Sequence, residues 1–207
     1  MKALLINGSP HVNGCTKRAL LEVEKVLKEK GIDTEWLEVG TKDIRGCIGC
    51  YYCVANGKCV FNDIVNESAS KLADADAVII GTPVYYAGPN GQLHAFLDRF
   101  FFSTARVIDK TMKVGATVVS SRRAGSTSAF DDINKYFTIS SMPVAPSTYW
   151  NEVHGFTVED VEKDLEGLQT MRNLGANIAF MVKAFKELKE KEGLPEQVKE
   201  ARTNFIQ

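Results

Sequence analysis

Short apolar runs alternate with amphipathic stretches along this chain, and that alternation predicts strands between helices. Leu4-Leu5-Ile6 is a compact apolar run that fits a strand buried on both faces. Asn7-Gly8-Ser9-Pro10 stops it with turn chemistry. From Thr16, apolar residues recur at Ala19, Leu20, Val23, Val26 and Leu27, a helical period that Gly31 closes. Asp33 to Val39 predicts a second strand. Ile64 to Ala75 reads as one short helix with Ile64, Ala69 and Leu72 inward. Ala77 to Ile80 predicts a third strand, ended at Thr82-Pro83 because proline cannot continue a central strand. Gly91 to Phe102 carries Leu93, Phe96, Leu97, Phe100 and Phe101 on one helical face. Val114 to Val119 predicts a fourth strand, broken at Ser120-Ser121. Phe130, Ile133 and Phe137 mark another helix, and Pro143 to Tyr149 is the candidate fifth strand. Thr157, with Asp160 in capping-box position, opens one long helix whose period holds from Val161 to Phe185 and ends at Gly193. A short helix is expected after Pro195.

Strands alternating with helices imply an α/β fold with right-handed crossovers. Five strands suit a parallel sheet in the flavodoxin-like order 2-1-3-4-5, the middle layer of a three-layer sandwich. In that order the ligand sits at the carboxyl ends of strands 1 and 3. The rule sets three loops side by side: Ser9 to Thr16, Pro83 to Gly88 and Ser120 to Ser126. The first feeds a helix N-terminus, where free N–H groups and the helix dipole favour phosphate, and Ser9, Asn13 and Thr16 add side-chain donors. No Lys or Arg precedes Lys17 there, so neutral donors carry most of the binding. The second, Pro83-Val84-Tyr85-Tyr86, offers two tyrosines and exposed backbone to a flat ring. The third offers hydroxyls from Ser120 onward, Arg122, Arg123 and a flexible Gly125. A phosphorylated planar heterocycle such as FMN would use all three. Taken one loop at a time, the alternative is an ordinary βα turn with tyrosines packed at a strand end. The chain holds no G-x-x-x-x-G-K-[ST] and no G-x-G-x-x-G, which excludes two common nucleotide signatures.

The 207 residues are most simply one domain spanning 1–207, with a cysteine-rich insertion at 46–63. A net charge of −1 gives no electrostatic case for nucleic acid or an anionic membrane. No apolar run approaches the roughly 20 residues of a membrane span. The first strand begins within a few residues, leaving no room for a signal peptide, so a cytoplasmic protein is expected. There, clustered cysteines point to metal or redox chemistry rather than structural disulfides.

Four of the five cysteines, Cys47, Cys50, Cys53 and Cys59, form C-x2-C-x2-C-x5-C. A redox pair needs only two thiols. Structural zinc normally uses two pairs separated by a longer span. A compact run of three with a fourth nearby is closer to iron–sulfur ligation, and Gly46, Gly49 and Gly57 leave backbone room to wrap a cluster. Zinc, a redox thiol pair and plain reduced cysteines remain alternatives.

Three stretches, GSPHVNGCT, CIGCYYCVANGKCVFND and GTPVYYAGPNGQLHAFLDRF, resemble the NADPH-dependent FMN reductase group, in particular its iron–sulfur flavoprotein branch. YWNEVHG and DLEGLQTMRNLG are similar to members as well, so the resemblance spans nearly the whole chain. It implies that Ser9, Asn13, Cys15 and Thr16 contact phosphate or ribityl, with His11 and Gly14 in the same loop. It implies that Pro83, Val84, Tyr85 and Tyr86 line the isoalloxazine, and that the cysteine run binds a [4Fe–4S] cluster near the FMN of a partner subunit. The family often has Arg at the place of His11, Asn at Cys15 and Lys at His94; a protonated His11 would replace part of the lost charge. The expected function is an FMN-dependent oxidoreductase between NAD(P)H and a small acceptor. Alternatives are an electron carrier with FMN and the cluster, reduced by ferredoxin, and a flavin or thiol sensor without turnover. Arg122 and Arg123 are candidates for a nicotinamide cofactor's phosphate. No acid–base triad is expected, because hydride transfer at a flavin needs none. Phe100, Phe101, Phe102 and the apolar parts of the cysteine loop suggest a homodimer or homotetramer.

Overall fold

In a computed structural model, which describes residues 1–198, 200–201 and 203–205, five apolar segments form the strands. They are β1 (Lys2–Asn7), β2 (Asp33–Glu38), β3 (Ala77–Pro83), β4 (Val114–Ser121) and β5 (Glu152–His154). All pairings are parallel, in the order β2-β1-β3-β4-β5. The helices are α1 (Cys15–Glu29), α2 (Tyr52–Asn56), α3 (Ile64–Glu67), α4 (Ala69–Asp74), α5 (Gly91–Thr104), α6 (Ser126–Ile139), α7 (Val158–Val161) and α8 (Leu165–Glu192).

Strand side chains alternate between faces, which divides the core in two. Leu5, Ile79 and Val118 meet Leu20 and Val23 of α1 and Leu174 and Ile178 of α8. Leu4, Ile6, Val78 and Ile80 meet Leu72, Phe96, Phe100 and Phe137 on the other side. Both faces are covered, which is why β1 and β3 are continuous apolar runs. The order 2-1-3-4-5 and the three layers match the sequence reading.

The details differ where polar residues compete with the hydrophobic period. β3 runs on through Thr82 to Pro83, its last residue, where the missing N–H costs the ladder little. Ser120 and Ser121 do not break β4: both are buried and pair with Val153 and His154. Pro143 to Tyr149 is not the fifth strand. Only Val144 bridges to Gly115, because Pro143 and Pro146 have no N–H to donate, and the strand forms later, at Glu152–His154. The expected helix from Ile64 to Ala75 divides at Ser68, whose hydroxyl donates to the Ile64 carbonyl at 2.6 Å; Val65 and Leu72 are its buried positions.

Thr157 and Asp160 form the capping box, but the helix they open ends at Val161. Asp164 restarts the chain as a second N-cap, accepting from the Gly167 N–H at 2.9 Å, so one expected helix is two. Phe100 and Phe101 belong to the core, and only Phe102 of that trio is substantially exposed. No helix follows Pro195 among the described residues; the rest of that expected helix lies outside them. No described helix is long and apolar enough to cross a membrane.

Candidate functional site

At the carboxyl end of the sheet a cavity of about 830 Å³ gathers most of the expected residues. Ser9, His11, Asn13, Gly14, Cys15 and Thr16 line it from the β1 loop, Pro83, Val84 and Tyr85 from the β3 loop, and Ser120 and Arg122 from the end of β4. Two expected residues are elsewhere. Tyr86 has a positive φ of 50° and a fully exposed side chain, so it points away into solvent. Gly125, at φ 91°, packs against the β3 loop: a Cβ there would come within 2.7 Å of the Ala87 Cα. It shapes the wall from outside the cavity.

The β1 loop is fixed by its own short-range bonds. Asn7, fully buried, donates through Nδ2 to Glu38 Oε2 at 2.7 Å and accepts from the Ser9 N–H at 3.1 Å. The Ser9 hydroxyl accepts from the His11 N–H at 3.1 Å, and the His11 carbonyl accepts from the Gly14 N–H at 3.0 Å. α1 then starts with no side-chain cap and no acidic residue in its first turn. Its first N–H groups therefore face the cavity without an intrahelical acceptor, an arrangement that favours an anion.

Thr16 Oγ1 and Ser120 Oγ lie 2.7 Å apart, both buried. One hydroxyl proton bridges them, which leaves the other to be donated to a ligand. The Ser121 hydroxyl, also on the cavity wall, is buried without a partner among the described residues. Unmet donors beside an open helix start fit a phosphorylated ligand such as FMN. Lys17, the first cation along α1, is engaged elsewhere: it pairs with Glu38 at 2.7 Å and lies 3.1 Å from the centroid of the Trp36 ring. Cys15 makes only a weak contact, 3.7 Å from its sulfur to the Gly155 carbonyl. Burial pushes its thiol pKa up, so it stays neutral near pH 7.

A fourth loop completes the cavity and escaped the sequence reading. Gly155, Phe156, Thr157 and Val158 follow β5 and line the cavity with the β1, β3 and β4 loops. Arg122, His154, Gly155, Phe156 and Asp160 also border a second, shallow hollow of about 570 Å³. It joins the other three because β5 ends at His154, at the same carboxyl edge of the sheet. His94 is not in the cavity. Its Nε2 is buried without a partner among the described residues, and its ring stands edge-on to Tyr136.

The cysteines form a separate place. Cys47, Cys50, Cys53 and Cys59 all line one small apolar hollow with Tyr51, Phe61, Arg99 and Phe102. All five cysteines are free thiols. Gly49, Tyr51 and Gly57 all take positive φ, so the chain wraps tightly around the hollow. Burial is the main reason that the Cys53 thiol pKa is raised, with the neighbouring Cys59, Cys47 and Cys50 adding to it. Among the described residues, no three His, Cys, Asp or Glu side chains converge tightly enough to hold a single metal ion. Thiolates on one zinc must all reach about 2.3 Å from one point. Cluster thiolates bind different irons, and four cysteines around one hollow are a donor set that would fit such a cluster.

The sequence model of NADPH-dependent FMN reductase matches residues 1–157. An iron–sulfur flavoprotein of Methanocaldococcus jannaschii is 34% identical over 197 residues, covering 90% of this chain and all of the relative. Among solved structures, RosB with a bound riboflavin-5'-phosphate derivative superposes with a TM-score of 0.69 at 16% identity, covering 100% of this chain and 92% of that one. A flavodoxin from the domain Archaea gives a TM-score of 0.57 at 19% identity, with 88% and 99% covered. At such identities the two structures speak for the fold alone.

Proposed function

The chain belongs to the NADPH-dependent FMN reductase family, in its iron–sulfur flavoprotein branch, and from that premise we propose how this flavoprotein oxidoreductase works. FMN occupies the cavity of about 830 Å³, its phosphate on the open start of α1 and its ring toward Pro83, Val84 and Tyr85. The observation that carries this is the set of unmet donors there: free first-turn N–H groups, the Thr16–Ser120 hydroxyl pair and the buried Ser121 hydroxyl. Bound FMN supplies the electron transfer; the protein's part is to orient it and exclude water from one face. NAD(P)H is the donor in this reading, with Arg122 at the cavity rim available to its phosphate, and a small molecule is the acceptor.

A second reading is favoured by the four cysteines around one hollow. In it the protein carries FMN and a [4Fe–4S] cluster and takes electrons from ferredoxin. The hollow abuts Phe102, 11 residues along α5 from Gly91. That is about 16 Å of helix away from the end nearest the cavity. A second copy would bring its own cavity closer. Ile48, Tyr51, Phe102 and Val107 are exposed around the hollow and favour a homodimer or homotetramer. We place the protein in the cytoplasm, where such cysteines stay reduced. The test is anaerobic purification with flavin, iron and sulfide quantified and the flavin identified by mass spectrometry. One FMN per chain is expected. FAD, or no flavin after reconstitution, overturns the cavity assignment.

A further inference from the structure

Cys59 is held in a way that the other three cysteines are not. Asn66 clamps its backbone from both sides: Oδ1 accepts from the Cys59 N–H at 2.8 Å, and Nδ2 donates to the Cys59 carbonyl at 2.9 Å. The sulfur itself accepts from Arg99 Nε–H at 3.3 Å. Arg99 is only 2% exposed. Its terminal nitrogens donate to both carboxylate oxygens of Asp63, at 2.8 and 2.9 Å, and one also reaches the Arg45 carbonyl at 3.2 Å. A guanidinium spreads its donors over three nitrogens of one rigid plane, whereas the three donors of an ammonium all leave a single atom. Cys47 and Cys50, by contrast, are exposed on a segment with no helix or strand.

A buried ion pair is poor evidence for stability alone, since apolar residues of similar volume often serve as well. What this pair adds is a desolvated N–H aimed at one sulfur of the cysteine set. We propose that Arg99 is a positioning residue that fixes Cys59 and raises the reduction potential of the cluster it ligates, with Asp63 as its counter-charge. The inference rests on the cluster reading above. Hydrogen bonds to ligand sulfurs favour the more negative, reduced cluster, and local charge acts in the same way.

The two halves of the pair make predictions of opposite sign. Arg99→Lys keeps the ion pair with Asp63 but loses the bond to sulfur. Its cluster should be harder to reduce by about tenfold in the one-electron equilibrium, about 59 mV. Asp63→Asn keeps the Arg99–sulfur bond, removes a negative charge and still caps α3, because Asn caps as well as Asp. Its cluster should be easier to reduce. The experiment is anaerobic reconstitution of the full-length protein and both variants, with iron and sulfide counted and the reduced cluster titrated by electron paramagnetic resonance. Potentials displaced in opposite directions at wild-type iron content support the proposal. Equal potentials, shifts of the same sign, or parallel loss of iron in both variants would assign the pair to folding and overturn it. A wild type that takes up no iron and sulfide removes the cluster reading, and the proposal with it.

Discussion

The β1 loop and the cysteine loop both lead from a strand to a helix, yet they are organised by different means. Every residue from Asn7 to Thr16 sits within a few bonds of a strand end or a helix start, and the loop's internal hydrogen bonds close before any ligand enters. Gly40 even brings the β2 loop into backbone contact with it, since a Cβ there would lie 2.3 Å from the Ser9 carbonyl oxygen. The cysteine loop has no sheet partner. It has one five-residue helix, three left-handed residues and exposed Cys47 and Cys50, while Cys59 is held through both its backbone and its sulfur. A sheet edge can preform a site for an organic phosphate. A loop of thiols is completed by what it binds.

That difference predicts that the two regions fail separately. The largest effect belongs to the cysteines. Replacing Cys47, Cys50, Cys53 or Cys59 by Ala should each remove most of the bound iron and its broad visible absorbance, because a [4Fe–4S] cluster needs four ligands. FMN should remain, measured as the iron-to-flavin ratio after anaerobic reconstitution. Two sensitive and two silent positions would instead indicate a thiol pair, and flavin lost along with iron would break the comparison.

Next comes the preformed loop. Thr16→Val removes the hydroxyl at the start of α1, so that position can no longer donate to the phosphate, and Ser120 is left without its partner. Losing a hydrogen bond to a charged group costs roughly 1.5–3 kcal/mol, about ten- to a hundredfold in affinity. Flavin titration should show that loss with iron content unchanged. Unaltered affinity would mean that backbone N–H groups hold the phosphate alone.

How legible each region was follows from the same physics. β1, β3 and the start of α1 were readable because burial on both faces forces apolar runs and a clear period. The three-loop convergence followed from strand order alone. The last strand was not readable: three residues with one buried side chain carry almost no pattern, and its misplacement hid the loop from Gly155 to Val158. Arg99 was invisible for another reason. In the run Leu97-Asp98-Arg99-Phe100 a charged residue reads as solvent-facing, and only the fold shows that it turns inward to Asp63 and Cys59. Tyr86 lies outside the cavity because its backbone takes a left-handed conformation that propensity does not anticipate.

The smallest effect is expected at Cys15, the one cysteine in the preformed loop. Its sulfur reaches only the Gly155 carbonyl, at 3.7 Å, and an S–H donor is weak. Cys15→Ala should therefore change FMN affinity by about twofold or less, near 0.5 kcal/mol, and leave iron untouched. The sign of its titration sharpens the point. Burial is the main reason that its pKa is raised above the ordinary thiol value of 9.0, so folding favours the protonated form. Whatever stability this adds is complete below the unfolded pKa and is lost only as pH rises through the folded one. Near neutral pH no thiolate opposes the phosphate, and the affinities of wild type and Cys15→Ala should run parallel between pH 6 and about pH 8. If they diverge in that range, with wild type binding less tightly as pH rises, the thiol is ionising beside the phosphate. If Cys15→Ala loses iron, Cys15 belongs to the cysteine set and the separation of the two regions is wrong.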